Sequence, residues 1–411
     1  MKRAGIALLL AGILALGFNL RAAITSLPPL FPELHHTLQI STGSLAVLAA
    51  IPVICFGVFS GAAAPLSRRF GEERVLGVAL VLLAVGLLLR GLAPHQLLFP
   101  GTVLAGAAIA LMNVLLPSLV KRRSPERAGL LIGLYLASLS AGAILASLLA
   151  VPIFTAAGAG SAAVRLSVGI WAGPALIAAA IWAPQLSHRT MPEPAAAEPA
   201  RPVQPLAAGP ASPGTRGVLA MRKHALAWQV TAFMGLQSLS YYAALSWFPT
   251  LFRDQGVSAA HAGDLSALMN LGNGVTALLI PVLAHRAKDQ RLIALGAVLV
   301  TAGGLAGSAF GPLQLAVPFV FFLGLGQGAT LGLAIFYTMA RAPDARTAAS
   351  LSAFAQGIGY LIAATGPLLI GFLHAATGAW VVPIWTLECI AVLQLASGWL
   401  AGRAQVVPAT G

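Results

Sequence analysis

Long apolar runs recur along the whole chain and are separated by short polar or Pro- and Gly-containing breaks. An α-helix crosses the bilayer hydrocarbon in about 20 residues. Twelve runs of that kind can be marked, so we predict an all-α integral membrane protein with twelve spans. Several predicted spans are longer than this, which indicates tilt or kinks rather than additional spans. Their approximate bounds are 5–30, 43–64, 74–92, 96–120, 128–156, 162–183, 223–252, 260–284, 291–309, 313–341, 347–375 and 379–402.

Composition excludes a soluble fold. Hydrophobic residues make up 58% of the 411 positions and charged residues only 9%, whereas a soluble protein carries about 25% charged residues. Such a chain has too few charged side chains to cover a water-exposed surface. The bilayer is therefore the solvent that fits.

The basic residues indicate the orientation of the chain. A formal net charge of +13 raises the question of nucleic acid, but Lys and Arg recur in short clusters between apolar runs and are not interleaved with aromatic residues. If the N-terminus is cytoplasmic, 20 of the 24 Lys and Arg residues fall in inside segments, while Arg90, Arg165 and Arg253 fall in or beside outside segments. The last, Arg21, lies within the first span. This positive-inside pattern predicts that both termini face the cytoplasm.

An internal repeat relates the two halves of the chain. A near-constant shift pairs residues of the same type in the same order over about a hundred positions, which favours duplication over chance. A shift of 217 pairs Phe31, Pro32, Leu34, Ser41, Arg69 and Arg74 with Phe248, Pro249, Leu251, Ser258, Arg286 and Arg291, and a shift of 218 pairs Gly106, Arg123, Pro125 and Glu126 with Gly324, Arg341, Pro343 and Asp344.

The repeat predicts the organisation of the chain. We expect an N-terminal six-helix half at 1–183, a Pro- and Ala-rich cytoplasmic linker at 184–222 and a C-terminal six-helix half at 223–411. Because six spans is an even number, the halves are parallel repeats about a pseudo-two-fold axis along the membrane normal, as in the major facilitator fold. The first residues, to Gly17, also resemble a secretory signal peptide. Its removal would leave the seventh span without a counterpart, so we expect it to be retained.

Three ionisable residues in the predicted spans need an explanation, because a charge at mid-span costs about 2.5–3.5 kcal/mol. Arg21 lies roughly 24 Å along the first span, in its outer half. That span contains no acidic residue, so we expect the guanidinium to contact an anionic or strongly polar ligand. The alternative is snorkelling to the interface or contact with carbonyl groups near Pro28 and Pro29. Asp264 and Glu388 are candidates for proton coupling, with interfacial solvation and a structural role as the respective alternatives.

Uncharged polar residues can be sorted by the repeat, because matched positions should face the same central path. Ser138 maps onto Gln356, Gln327 maps one helical turn before Asn113, and Arg21 maps onto Ser238. For any single amide or hydroxyl, the alternative is an interhelical hydrogen bond worth about 1–2 kcal/mol or less. Asn270 and Asn273 have no polar match and rank lower. The predicted substrate-binding lining is Arg21, Asn113, Ser138, Gln237, Tyr241, Gln327 and Gln356.

Catalytic chemistry finds little support in the sequence. Gly-rich runs such as GLGQGATLG lie inside apolar spans, with no preceding strand and no Lys-Ser/Thr, and they suit close helix packing better than nucleotide binding. The sequence suggests no nucleophile, metal cluster or paired carboxylates, so we expect no enzyme activity, cofactor or metal. Cys55 and Cys389 lie in apolar stretches of opposite halves, and we expect both thiols to be buried and reduced.

Several segments resemble the cyanate-transporter group of the major facilitator superfamily. They are NLRAAITSLPPLFPEL, LLPSLVKRR, GLQSLSYYAALSWFPTLF and AFAQGIGYLIAA, and the similarity covers nearly the whole chain. The resemblance implies a bacterial inner-membrane carrier for cyanate or nitroimidazoles. Its Asn-x-Arg element falls on Asn19 and Arg21, and its Gln-Gly-Ile-Gly element on residues 356–359.

Two departures from the family pattern stand out. Many relatives have Arg-Pro where this chain has Arg21-Ala22, which removes the reason to expect a kink there. The segment between spans 2 and 3 has Pro65 where the superfamily motif has Asp, but it keeps the glycine and basic character of a gating loop. The residues that keep this character are Gly61, Arg68 and Arg69.

We therefore predict a secondary transporter that moves a small polar or anionic solute by alternating access, with Arg21 as the leading contact. One alternative is an exporter of uncharged or weakly polar drugs, using Tyr241, Tyr242, Trp247 and Phe233 as an aromatic wall. Another is a transporter-like solute sensor. The expected partners are a small-molecule substrate and membrane lipid, without nucleic acid, and we expect the protein to act as a monomer.

Overall fold

A computed structural model describes residues 3–92, 94–187 and 215–409. All regular structure in these residues is helical, and the chain divides into two compact units, Met1–Ala207 and Ala208–Gly411. The α-helices of the first unit are α1 (Arg3–Thr25), α2 (Phe31–Leu38), α3 (Thr42–Phe59), α4 (Ala63–Phe70), α5 (Glu72–Gly91), α6 (Leu98–Arg123), α7 (Ala128–Ala156), α8 (Ser161–Gly169) and α9 (Ala172–Trp182). Those of the second unit are α10 (Thr215–Ala220), α11 (Ala225–Asp254), α12 (Ala259–Arg286), α13 (Arg291–Phe310), α14 (Ala316–Ala340), α15 (Ala345–Thr377) and α16 (Val381–Ala401).

Eleven helical segments within the described residues are long and apolar enough to cross a membrane. The predicted seventh span, α11, is 30 residues long but does not meet that standard of composition. Its middle carries Gln, Ser and Tyr residues, and every residue from Gln237 to Pro249 is buried. A helix surrounded by protein needs no lipid-facing apolar surface, so its length and burial are those of a span although its composition is not.

The first predicted span, 5–30, is interrupted in the structure. Helix α1 ends at Thr25, and a 3-10 turn at Pro28–Leu30 leads directly into α2. Pro28 and Pro29 carry no backbone N–H, so they cannot continue the ladder of α1. No kink is needed at Arg21, because α1 runs through it. The predicted sixth span is likewise divided, into α8 and α9.

The predicted gating loop between spans 2 and 3 is mostly helical. A 3-10 turn at Ser60–Ala62 and the eight-residue α4 fill it. Gly71 then takes φ 88°, a left-handed conformation that glycine adopts at little cost, and α5 starts at the next residue. Gly61, Arg68 and Arg69 are exposed.

The ends of the predicted linker are ordered. Residues 184–187 belong to a 3-10 helix that contains the buried Gln185. After the undescribed stretch, α10 and a 3-10 turn at Met221–Lys223 precede α11, and Met221 packs against Ala227 and Leu351. The remainder of the linker, 188–214, lies outside the described residues. The division at 207/208 falls within it.

Glycines bring pairs of helices into backbone contact in each unit. A Cβ placed on Gly106 of α6 would lie 3.1 Å from the Pro52 Cα of α3, and one on Gly324 of α14 would lie 3.0 Å from the Met269 Cα of α12. Gly106 and Gly324 are aligned by the repeat, and so are Pro52 and Met269. The duplicated sequence thus produces the same close packing in both units.

The repeat also sets helix starts. Ser41 and Ser258, aligned by the shift of 217, have ψ of 152° and 153° and cap α3 and α12. Each Oγ accepts a hydrogen bond from the backbone N–H three residues later, at 3.2 and 3.3 Å. A serine at this position satisfies one of the N–H groups left open at a helix start.

Candidate functional site

Helix α11 concentrates buried polar groups in the second unit. The Gln237 Nε2 donates to the Ser238 hydroxyl at 2.5 Å and approaches the Met234 sulfur at 3.5 Å. The Tyr241 hydroxyl donates to Asn270 Oδ1 of α12 at 3.0 Å. Tyr241 also packs edge-to-face on Tyr242, with ring centroids 5.1 Å apart. The structure therefore places Gln237 and Tyr241 on a buried polar stretch and adds Asn270 to it.

Gln327 of α14 lies at the same height in the second unit as Asn270 of α12. Gly324 packs on the backbone of Met269, and Gly328 packs on the backbone of Asn273. Asn270, the partner of Tyr241, lies between these two contacts in the sequence of α12. Gln327 is 1% exposed, and neither of its amide atoms has a hydrogen-bond partner within the described residues. We refer to Gln237, Tyr241, Asn270, Asn273 and Gln327 as the amide cluster.

The first unit brings together two of its predicted lining residues. Tyr135 of α7 donates its hydroxyl to Asn113 Oδ1 of α6 at 3.2 Å. One turn along α7, the Ser138 hydroxyl donates to the Leu14 carbonyl of α1 at 2.5 Å. Gly17 permits this approach, since a Cβ there would lie 3.0 Å from the Tyr135 ring. Asn113 is exposed and Ser138 partly buried, so both have a structural partner and only Asn113 offers much open surface.

Arg21 lies one helical turn beyond Gly17 on α1. It is partly buried and interacts with other groups of the chain. The hydroxyl of Thr25 donates to its carbonyl oxygen at 3.0 Å. A role for Arg21 in solute binding therefore depends on its charge and its place in the span, not on a missing partner.

The other predicted residues lie apart from these two sets. Gln356 of α15 is exposed and donates to the Ser352 hydroxyl at 2.8 Å. Asp264 is exposed at the start of α12, 3.7 Å from the His261 Nδ1. Glu388 of α16 is partly buried, and its Oε1 is buried without a hydrogen-bond partner in the described part of the chain. The expectation that both cysteines are buried is correct for Cys55 and wrong for Cys389, which is exposed.

Arg90 is a buried cation to which sequence analysis assigned no role. It is 1% exposed in the last turn of α5, where the helix dipole favours positive charge. Its Nη1 donates to the Ala23 carbonyl at 2.6 Å and its Nε to the Thr102 hydroxyl at 3.0 Å. It thereby binds a carbonyl group close to where α1 breaks. Its position at the end of a span concealed this role, because such an arginine is normally solvated.

Two buried carboxylates begin α5. Glu72 lies 3.2 Å from Arg122, and Glu73 lies 3.8 Å from Arg123, which also donates to Gln185 at 2.7 Å. Both glutamates are at most 1% exposed. Acidic groups are stabilised at a helix N-terminus and basic groups at a C-terminus. These residues therefore fasten the ends of α5 and α6 within the first unit.

In the second unit, the arginine at the end of α14 is held by carbonyl and amide oxygens instead of carboxylates. Arg341, the repeat partner of Arg123, donates to the Ala401 carbonyl at 2.8 Å, to the Gly402 carbonyl at 3.1 Å and to the Gln290 Oε1. Its guanidinium also lies 5.2 Å from the centre of the Tyr337 ring. Burial lowers the pKa of Arg341 below its ordinary value. A neutral acceptor set replaces the carboxylates of the first unit.

Comparison with known proteins shows which protein family the sequence matches. The family model described as Major Facilitator Superfamily matches residues 8–367. The 2-nitroimidazole transporter of Escherichia coli (strain K12) is 37% identical over 96% of this chain and 95% of its own, and the cyanate transport protein CynX of the same organism is 30% identical over 93% and 94%. A bacterial homologue of the human lysosomal transporter Spinster, solved inward-facing and unoccupied, superposes over all of both chains with a TM-score of 0.75 at 16% identity.

Proposed function

Because this chain belongs to the major facilitator superfamily, we propose that it is a secondary active transporter for a small polar or anionic solute in the bacterial inner membrane. Transporters of this superfamily are not enzymes. In the proposed cycle, alternating access exposes the bound solute first on one side of the membrane and then on the other. The cyanate and 2-nitroimidazole named for its two relatives suggest the size of the solute.

The amide cluster is the observation that carries the proposal. Its side chains are buried, and two of the three helices that carry them, α12 and α14, are long and apolar enough to span a membrane. A buried polar group without a partner costs about 1–3 kcal/mol. A polar solute that completes the missing hydrogen bonds offsets this cost, which is the chemistry expected of a carrier for a small polar molecule.

We also propose twelve spans with both termini in the cytoplasm, which requires α11 to cross the membrane. A reporter that is active only outside the cytoplasm, fused after Gly256, then gives signal, because seven spans precede it. The same reporter fused after Gly402 stays silent. A silent fusion at Gly256 contradicts the assignment of α11 as a span.

Arg21 is the residue that we propose to hold the negative charge of an anionic solute. In proteoliposomes, Arg21→Ala should lower cyanate uptake by about tenfold or more, since a charge-assisted hydrogen bond contributes about 1.5–3 kcal/mol. Arg21→Lys keeps the charge but loses the planar fork, so it should retain part of the uptake. Arg127→Ala, which removes an exposed cation, is the matched control. If both Arg21 variants carry cyanate like the parent, this role is wrong.

Transport of uncharged nitro-heterocycles is a second candidate function, favoured by the 37% identity to the 2-nitroimidazole transporter. Two of the four aromatic residues predicted to contact such a solute pack against other parts of the protein. Phe233 is fully buried and packs on Tyr337, with ring centroids 5.5 Å apart, and Trp247 donates its Nε1 to the Pro367 carbonyl at 2.9 Å. We propose Tyr241 and Tyr242, whose rings contact each other edge-to-face, as the aromatic contacts for such a solute. A resistance profile on overexpression separates export of such compounds from uptake of anions.

A further inference from the structure

Two side-chain amides of the amide cluster are left without partners by the protein. Gln327 is 1% exposed, and both its Oε1 and its Nε2 lack a hydrogen bond within the described residues. Asn273 is 9% exposed, and its Nδ2 also lacks one. Buried polar side chains normally have partners.

Helix packing places these two amides at the same level. Gly328, the neighbour of Gln327, is in backbone contact with Asn273, and the Thr276 hydroxyl donates to the Leu325 carbonyl at 2.6 Å. Helices α12 and α14 are therefore in fixed register through this region. Gln327 and Asn273 are therefore attached to α14 and α12 beside the same contact, the one between Gly328 and the Asn273 backbone.

The chemistry available at this level is uncharged. Helix α14 has no charged residue, the charged residues of α11 lie in its last turn, and the nearest acidic residue of α12, Asp264, lies six residues before Asn270. Gln327 offers an acceptor oxygen and two N–H donors, and Asn273 offers two further donors. One turn away, Asn270 is already occupied by the Tyr241 hydroxyl. The open groups thus suit a ligand that presents both an acceptor and a donor and carries no net charge.

We propose that Gln327 and Asn273 together form a solute subsite for an uncharged, planar group with an acceptor oxygen and an N–H donor. The proposal rests on the transport function proposed above and assigns its hydrogen-bonding contacts in the second unit. It differs from the proposed role of Arg21, which concerns negative charge. The two roles predict different responses to neutral and anionic solutes.

The test compares Gln327→Leu and Asn273→Leu with Gln394→Leu in the full-length purified protein. Gln394 of α16 is also 1% exposed with both amide atoms unpartnered in the described part of the chain, but it lies outside α11, α12 and α14. The probes are 2-nitroimidazole, which is uncharged with nitro oxygens and a ring N–H, and cyanate. Melting temperature without solute, the melting shift with each solute, and uptake into proteoliposomes are measured for every variant.

If the proposal holds, Gln327→Leu and Asn273→Leu leave the solute-free melting temperature unchanged or raised, because an unpartnered amide contributes no hydrogen bond to lose. They raise the KM for 2-nitroimidazole by about tenfold, reduce its melting shift and leave cyanate uptake within about twofold. Gln394→Leu also leaves the solute-free melting temperature unchanged or raised, and it keeps the parent's KM and melting shift for both solutes.

Each contrary outcome has a distinct meaning. A lowered solute-free melting temperature in both variants means that the amides have a structural role, and it overturns the subsite. Uptake of 2-nitroimidazole by the variants at the parent's KM overturns it as well, and so does an equal loss in Gln394→Leu. If the parent carries neither solute while it is folded, the proposed function fails for these substrates and the subsite fails with it.

Discussion

Gly324→Val destabilises the protein by about 3 kcal/mol, as expected for overpacking against a surface that cannot adjust. The first added carbon would lie 3.0 Å from the Met269 Cα and closer still to the Met269 carbonyl oxygen. These are backbone atoms, so no change of rotamer relieves the clash and α12 must move away from α14. That movement would also disturb the positions of Gln327 and Asn273. The apparent melting temperature in detergent, with the yield of monodisperse protein, measures the effect.

Gly303→Val is the matched control for this change. Gly303 is a glycine of α13 with nothing within 4 Å of an added Cβ. Valine is slightly more favourable than glycine within a helix, so the melting temperature should stay unchanged or rise, with a free-energy change within about 0.5 kcal/mol. Equal losses from the two substitutions would mean that the α12–α14 contact is not the cause.

Arg341→Leu is expected to cost about 3 kcal/mol in unfolding free energy, which corresponds to a melting temperature lower by roughly 6–12 °C. The substitution leaves the Ala401 carbonyl and the Gln290 side chain without the charged donor that they share. Arg341→Lys should recover only part of the loss, because one ammonium cannot reproduce the forked geometry.

The control for the arginine is Arg346→Leu. Arg346 is exposed, five residues further along the chain and in the same unit, so its removal should change the melting temperature by no more than about 1–2 °C. A loss in Arg341→Leu no larger than this would contradict the structural role assigned to Arg341.

The hydrophobic pattern and the repeat together predicted most of the helices. The pattern depends on local sequence, and the repeat lets one half of the chain support the assignment of the other. The alignment of Ser41 with Ser258 predicted equivalent positions, and the structure shows equivalent caps. The predicted seventh span, α11, shows where hydropathy and the repeat give different answers. Helix α11 is too polar to qualify by composition, and the length of its run and its match to the first half predicted it instead.

Breaks within spans were less predictable. The end of α1 at Thr25 depends on Pro28 and Pro29, and these residues could have been placed either inside a kinked span or after its end. The helical α4 replaced a predicted loop because its packing against α5 and α6 is a tertiary feature. The packing of Gln185 and Met221 at the ends of the predicted linker likewise depends on partners distant in sequence, Arg123 and Leu351.

Candidate site residues were predicted by polarity and repeat position, and three of them, Gln237, Tyr241 and Gln327, are buried in the second unit. The same criterion ranked Asn270 and Asn273 low, because they have no polar match in the first half. Their place in the amide cluster depends on a contact with Tyr241 and on the packing of Gly328, neither of which can be recognised from a single helix. Arg90 was overlooked for a similar reason, since its burial depends on Ala23 and Thr102 in other helices.

Solute counterflow tests the central claim of carrier-mediated transport most directly. Proteoliposomes are loaded with unlabelled solute, diluted into a trace of labelled cyanate or 2-nitroimidazole without any ion gradient, and compared with protein-free liposomes. An alternating-access carrier predicts that the labelled solute transiently accumulates above its equilibrium level, because exchange is faster than net loss. Simple equilibration or no protein-dependent entry of either solute would contradict the account.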